Sequence, residues 1–157
     1  IIMDIILGSD HGGFDLKEIC KSHLETLQIY RVKDIGVFSL DSSDYPEVAH
    51  RVARAIAGGE YACGILVCGT GLGMSIVANR YKGVRAALCH NLYTARMSRL
   101  HNDANILVMG GRVIGAGLAL EMVDIFLTVS FEGGRHIKRI NQIDSEAYFG
   151  GKKLTAG

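Results

Sequence analysis

Short apolar runs and helix-patterned segments take turns along this chain, and that alternation restricts its fold more than any other feature. Met3 to Leu7, Tyr30 to Ile35, Gly64 to Val67, Val84 to Leu88 and Ile106 to Met109 are strand-length and rich in aliphatic residues. Between them, apolar residues recur at helical spacing. Phe14, Leu16, Ile19, Cys20 and Leu24 mark a helix to about Leu27, and Val48, Val52, Ala55 and Ile56 mark one ending at Gly58-Gly59. Further helices are expected from a glycine turn to about Tyr81, over Leu92 to Leu100 and over Gly115 to Val129. A last basic helix is expected from about Gly134 to Tyr148, with a frayed tail from Gly150 to Gly157. Five strands separated by helices predict an α/β protein with an open parallel sheet, helices on both faces and an extra C-terminal helix. The 157 residues contain no repeat, linker or low-complexity block, so a single domain over 1–157 is expected.

Composition narrows the function classes. Hydrophobic residues make up 48% of the chain and there is one proline, which suits a packed core and opposes disorder. Seventeen Lys and Arg nearly cancel 16 Asp and Glu, and Trp is absent, so nothing global favours nucleic acid or an anionic membrane. No apolar run approaches the ~20 residues of a membrane-spanning helix. The apolar N-terminus is short and lacks a basic leader, which reads as a first strand and not a signal peptide. Four cysteines, at 20, 63, 68 and 89, form no C-x-x-C pair. A core of this size needs no disulfides, so free thiols and a cytoplasmic location are expected. No spaced His/Cys/Asp set resembles a metal cluster, and neither metal nor cofactor is expected.

The chemistry concentrates where the third strand ends. Ile65-Leu66-Val67-Cys68 runs into Gly69-Thr70-Gly71-Leu72-Gly73-Met74-Ser75, and apolar periodicity then resumes through Ile76 and Val77. Such a strand, tight turn and helix start present backbone N–H groups to an anion. The G-T-G-L-G spacing is neither G-x-G-x-x-G nor a P-loop, so nucleotide fingerprints are absent. Cys68 is read either as a thiolate base beside an anion cradle or as an inert buried cysteine. Asp10-His11 also follows a strand, and ligands of open α/β sheets bind beyond the carboxyl ends of strands. Asp10 serves as an acid there or caps the following helix.

Two further clusters carry polar chemistry. His101-Asn102-Asp103 ends a helix, either as a general acid/base with its orienting partner or as a hydrogen-bonded exit. Glu132-Gly133-Gly134-Arg135-His136-Ile137-Lys138-Arg139 places basic groups in a first helical turn, which normally prefers acids. A bound dianion would relieve that arrangement; solvation of splayed side chains is the alternative. Arg112 adds a donor after the fifth strand.

Together with Gly8-Ser9-Asp10-His11-Gly12-Gly13-Phe14 and Asp44-Tyr45-Pro46, these motifs resemble the type B ribose-5-phosphate isomerases, in unbroken order from about Met3 to Tyr148. That family is shared with allose-6-phosphate and galactose-6-phosphate isomerases. The resemblance implies a Rossmann-like three-layer α/β/α fold and a homodimer, sometimes paired into a tetramer, with sites assembled from two chains. It implies interconversion of D-ribose 5-phosphate and D-ribulose 5-phosphate in the pentose phosphate pathway, without a metal. Cys68 would be the base moving a proton between C2 and C1, and Thr70 would assist transfer between the oxygens. Backbone N–H groups of Gly69, Gly71, Gly73, Met74 and Ser75 would stabilise the enediolate. His101 and Asp10 would open the furanose ring. His11, Arg112, Arg135 and Arg139 would hold phosphate, with Tyr45, Asn102 and His136 lining the pocket. One branch of the family has serine at the cysteine position and a glutamate base farther on; Cys68 and Met74 place this chain in the thiol branch. A six-carbon sugar phosphate is the alternative substrate. A non-catalytic sugar-phosphate sensor is a remoter reading, opposed by the presence of both Cys68 and His101.

Overall fold

The structure, a computed structural model, describes residues 2–145. Its strands are β1 (Met3–Ser9), β2 (Tyr30–Asp34), β3 (Cys63–Cys68), β4 (Ala86–Leu88) and β5 (Ile106–Gly110). Its helices are α1 (Phe14–Leu27), α2 (Tyr45–Ala57), α3 (Leu72–Ala78), α4 (Leu92–Asn102), α5 (Ala116–Thr128) and α6 (Arg135–Ile140), with a 3-10 turn at His11–Gly13 before α1. The strands form one parallel sheet in the order β2-β1-β3-β5-β4. Every residue of β3 and β5 is buried, as expected of central parallel strands covered on both faces. Edge strand β2 alternates half-buried with exposed residues instead.

Strand order explains how the helices divide. The step from β1 to β2 and the step from β4 to β5 move across the sheet in one direction, whereas β2 to β3 and β3 to β4 move in the other. Right-handed crossovers therefore put α1 and α4 on one face and α2 and α3 on the opposite face. The core divides in the same way. Leu16, Cys20 and Leu24 of α1, Ala95 of α4 and Met122 and Phe126 of α5 pack with Ile5, Ile65 and Leu107. Val48 and Val52 of α2 and Met74 and Ala78 of α3 pack with Ile6, Leu66, Cys68 and Val108. This is the three-layer α/β/α, Rossmann-like arrangement expected. No helix among the described residues is long and apolar enough to cross a membrane.

The boundary differences from the sequence expectation that matter most lie around β4 and in the last helix. α3 ends at Ala78 and β4 begins at Ala86, because Asn79 stops both: its Nδ2 donates to Ser75 O and Ala86 O, and its Oδ1 accepts from Ala86 N. That side chain thereby occupies hydrogen-bonding groups of an edge strand. The last helix is also shorter, closing at Ile140 into a turn that Asp144 fastens to the Gly83 N–H at 2.9 Å. The expected extension to Tyr148 and the frayed tail lie outside the described residues.

Candidate active site

The order of strands reverses between β1 and β3, so a crevice is expected beyond their carboxyl ends. Three loops meet there backbone to backbone. Gly111 N donates to Cys68 O (2.8 Å), Arg112 N to Gly69 O (3.0 Å) and Asp10 N to Val67 O (3.3 Å). A Cβ on Gly13 would lie 2.2 Å from Val67 O, so the β1 and β3 loops touch only because that position is glycine. Gly71 adopts φ +79°, and a side chain there would also meet Leu88 Cδ1 at 2.4 Å.

Cys68 ends β3 with its residue surface 5% exposed, and its Sγ accepts from the Gly71 N–H at 3.1 Å. That donor is a backbone N–H of the glycine turn itself. Burial pushes the Cys20 thiol up to about 12 and also raises Cys63 and Cys89, so these three are packing residues. Thr70 is exposed beside it, its Oγ1 accepting from Leu72 N at 3.3 Å. Ser75 N is used within the turn, bonding Gly71 O, whereas the N–H groups of Gly73 and Met74 have no acceptor among the described residues. The Met74 side chain is fully buried, so only its backbone can reach a ligand. Tyr45 lays its ring over Gly73, where a Cβ would come within 2.5 Å of Cε2, and Arg112 lies across Gly69.

Both readings of Asp10 hold together. Its Oδ1 caps the 3-10 turn by accepting from Gly13 N at 3.0 Å, while Oδ2 has no partner among the described residues and is not sealed from solvent. His11 is clamped by Ser43: the Ser43 N–H donates to Nδ1 (3.2 Å) and the His11 N–H donates to Ser43 Oγ (3.1 Å). With Nδ1 accepting, the neutral ring carries its proton on Nε2 as a free donor. Ser43 and Tyr45 belong to the segment after β2, which a buried ion pair secures. Lys17, its side chain wholly buried, lies 2.6 Å from Asp34, and the Gly36 N–H donates to the same carboxylate at 2.9 Å. Burial would raise the Asp34 carboxyl, but Lys17, the Gly36 N–H and Lys21 hold it below its ordinary value. Sequence reasoning passed over Lys17; the usable signal was its position on the core face of α1, in step with Cys20 and Leu24.

The remaining predicted residues lie elsewhere. Strands β3 and β5 pair from Gly64–Ile106 to Cys68–Gly110, which spans about 13 Å of sheet at ~3.3 Å per residue. Cys68 closes one end, whereas His101 and Asn102 end α4 just before β5 begins at the other. Glu132 N bonds Leu100 O at 3.1 Å, which brings α6 to that same N-terminal edge. There the His101 and His136 rings stack at 4.3 Å between centroids and 13° between planes. Glu132 Oε2 lies 3.8 Å from His101 Nε2 and 3.7 Å from His136 Nε2. The charged neighbour of His101 is therefore Glu132. Asp103, the adjacent candidate in sequence, is turned into ion pairs with Arg99 (3.0 Å) and Arg85 (3.3 Å).

His136 is 3% exposed and its Nε2 has no hydrogen-bond partner among the described residues. Burial first, then the charge of His101 and of Arg135 and Arg139, pushes it below the ordinary histidine value; Glu132 opposes them. Arg135 and Arg139 are exposed, with no carboxylate in ion-pair range among the described residues. Asp10, His11, Tyr45, Cys68, Thr70, the Gly69–Ser75 turn and Arg112 thus gather at the carboxyl edge of the sheet. His101, Asn102, Arg135, His136 and Arg139 gather at the opposite edge. One chain does not bring the two sets together.

The chain is similar to known proteins along nearly all of its described length. The profile described as ribose/galactose isomerase matches residues 5–143. Ribose-5-phosphate isomerase B of Escherichia coli is 48% identical over 139 residues, covering 88% of this chain and 93% of that protein. Among solved structures, the ribose 5-phosphate isomerase of Thermotoga maritima superposes with a TM-score of 0.88 at 52% identity, over 90% of this chain and 97% of that one. The ribose-5-phosphate isomerase B of Clostridium thermocellum gives 0.90 at 49% identity, over 96% and 100%. With its parallel sheet, glycine-lined crevice and matched residues running through nearly the whole described length, this chain belongs to the ribose/galactose isomerase family.

Proposed function

We propose that this chain interconverts D-ribose 5-phosphate and D-ribulose 5-phosphate through an enediolate, as a cytoplasmic step of pentose phosphate metabolism. The observation that carries the reading is the placing of Cys68 Sγ at the carboxyl edge of β3, in the turn whose Gly73 and Met74 N–H groups are unengaged. Isomerising an aldose needs a base near C2 and C1, and donors where the oxyanion grows. Cys68 takes the proton from C2 and returns it to C1, and Thr70 assists the transfer between the two oxygens. The turn's N–H groups stabilise the enediolate; one such preorganised donor is worth about 2.7–4 kcal/mol in other enzymes. The substrate's carbon skeleton gains and loses only a proton, so the step is redox-neutral.

The division of residues between the two edges supports an assembly of two chains. His101 and Asp10 share ring opening, and Arg135 and Arg139 share phosphate binding with His11 and Arg112, only if a second copy turns its N-terminal edge onto the carboxyl edge of the first. His136 and Asn102 then line the pocket beside Tyr45. Leu72, Ile76 and Val113 near the carboxyl edge are 56, 58 and 51% exposed, an apolar surface suited to such a neighbour. The working unit is therefore a homodimer, or a tetramer built from it.

Comparing kcat/KM for ribose 5-phosphate and allose 6-phosphate on the purified protein tests the reading. A clear preference for the five-carbon sugar is expected. Preference for the six-carbon sugar would replace the substrate while retaining the chemistry, and inactivity on both would overturn the proposal.

A further inference from the structure

We infer that Ser43 is a positioning residue of the carboxyl-edge site: it keeps His11 a neutral imidazole that donates to the substrate phosphate from Nε2, and it holds the entry of α2 that carries Tyr45. The inference deepens the proposed isomerase role and rests on it, since that role gives His11 the phosphate.

The geometry is reciprocal. Ser43 Oγ accepts from the His11 N–H at 3.1 Å, and the Ser43 N–H donates to His11 Nδ1 at 3.2 Å, across 32 positions of sequence. The first bond satisfies an amide at the start of the 3-10 turn, where a helix offers its own N–H groups no acceptor. Asp10, which caps that turn, directs its Oδ1 to Gly13 N and leaves the His11 N–H to Ser43. The second bond sets the chemistry. A protonated imidazole carries hydrogen on both nitrogens and has no lone pair to offer the Ser43 N–H. The clamp therefore admits only the neutral ring. His11 supplies a directed hydrogen bond and no charge, and the positive charge that meets a phosphate dianion comes from Arg112, Arg135 and Arg139.

The helix beyond Ser43 depends on the same contact. Asp44 stands at the N-cap of α2 but makes no side-chain cap bond, so no local cap fixes where that helix begins. Ser43, one residue earlier, fastens that point to the loop after β1. Pro46 then restricts the backbone of Tyr45, whose ring lies over Gly73. One serine thereby registers the phosphate donor of the β1 loop against the wall of the glycine turn.

The test reads the ring directly by NMR on the full-length protein with labelled nitrogen. A coupling across the hydrogen bond between the Ser43 amide nitrogen and His11 Nδ1 is expected. Inorganic phosphate, used as the probe, should shift the Nε2–H signal and leave that coupling in place. Ser43→Ala should remove the coupling, and should weaken phosphate binding in calorimetry and raise KM for ribose 5-phosphate by about three- to tenfold each, with kcat within about twofold of wild type. Ser43→Thr keeps the hydroxyl and should restore all of these, and Ser42→Ala at the exposed neighbour should disturb none. A coupling absent from the wild type, a second proton on the His11 ring when phosphate binds, or unchanged phosphate affinity in Ser43→Ala would each overturn the inference. The wild-type spectrum decides the matter even where Ser43→Ala unfolds the chain. Normal turnover with no such coupling would sink this inference alone. The coupling and phosphate response as expected, in a protein inert toward ribose 5-phosphate, would leave the clamp standing and sink the isomerase role.

Discussion

The two ends of the sheet solve opposite problems. At the carboxyl edge, three glycine loops satisfy one another's backbone groups, Ser43 clamps His11, and a buried Lys17–Asp34 pair secures the segment bearing Tyr45. At the other edge, a buried imidazole has no partner, two histidines stack, and Arg135 and Arg139 crowd a short helix with no carboxylate in ion-pair range among the described residues. One edge is preorganised, its loops fastened to one another around N–H donors left open; the other is held in a form that a ligand or a second chain would relieve. Preorganised donors act without reorganising during reaction, so in the proposed mechanism proton transfer at C2 and C1 is assigned to the first edge, and ring opening and anion capture are shared between the two.

The sharpest way to break that division is Cys68→Ser. The weaker base in the same geometry should lower kcat by about 10³-fold, within the range of a general acid–base contribution, while sugar phosphate still binds. Rates near wild type would move the base elsewhere on the carboxyl edge.

Next in size is complementation. Cys68→Ser damages one edge and His101→Asn the other, and each variant alone should be nearly inactive. If every site takes one edge from each of two chains, an equal mixture refolded together gives about one site in four with both edges intact. Recovery to about a quarter of wild-type activity is expected. No recovery in verified mixed oligomers would mean that the edges do not meet between chains.

The difference between the edges also explains what could be read in the sequence. Strand-helix alternation and the glycine turn are local signals, and together with the topological rule they place Asp10 and Cys68 at one crevice. Topology likewise separates His101 from Cys68, since a helix between parallel strands returns to the opposite end, but sequence spacing does not make that visible. Glu132 beside His101 was hidden because the contact joins residues 31 apart and depends on how α6 folds back onto α4. Asp103 looked like the better partner by adjacency, yet its left-handed backbone (φ 44°) at the end of α4 turns it toward Arg85 and Arg99. Lys17 gives only a faint signal for a different reason: lysine is almost never wholly buried, so its place on a core face carries little weight until Asp34 is seen to face it.

That pair provides the third test. Lys17→Met keeps the bulk but leaves the buried Asp34 with Lys21, at 3.3 Å, as its one remaining cation among the described residues, beside the Gly36 N–H. Losing one partner of a buried pair costs about 3–5 kcal/mol, and with Lys21 remaining the expected loss is about 2–3 kcal/mol in denaturant unfolding. KM should rise with it, because the loosened segment carries Ser43 and Tyr45. Destabilisation without a KM change would show that the carboxyl edge does not depend on this anchor.

The smallest effect concerns pH and tests the other edge. His136 is held below the ordinary histidine value near 6.5, mainly by burial and then by His101, Arg135 and Arg139 against the opposing Glu132. Between its folded pKa and about 6.5 the unfolded chain binds a proton that the folded chain refuses, so stability falls as pH drops through that window. The melting temperature should therefore decline below about pH 6.5, and His136→Gln should flatten the decline, since glutamine does not titrate there. Glu132→Gln should steepen it, because removing that carboxylate depresses His136 further. An unchanged slope in both variants would assign the pH sensitivity to the other histidines and would mean that the N-terminal edge is not the unrelieved region the geometry describes.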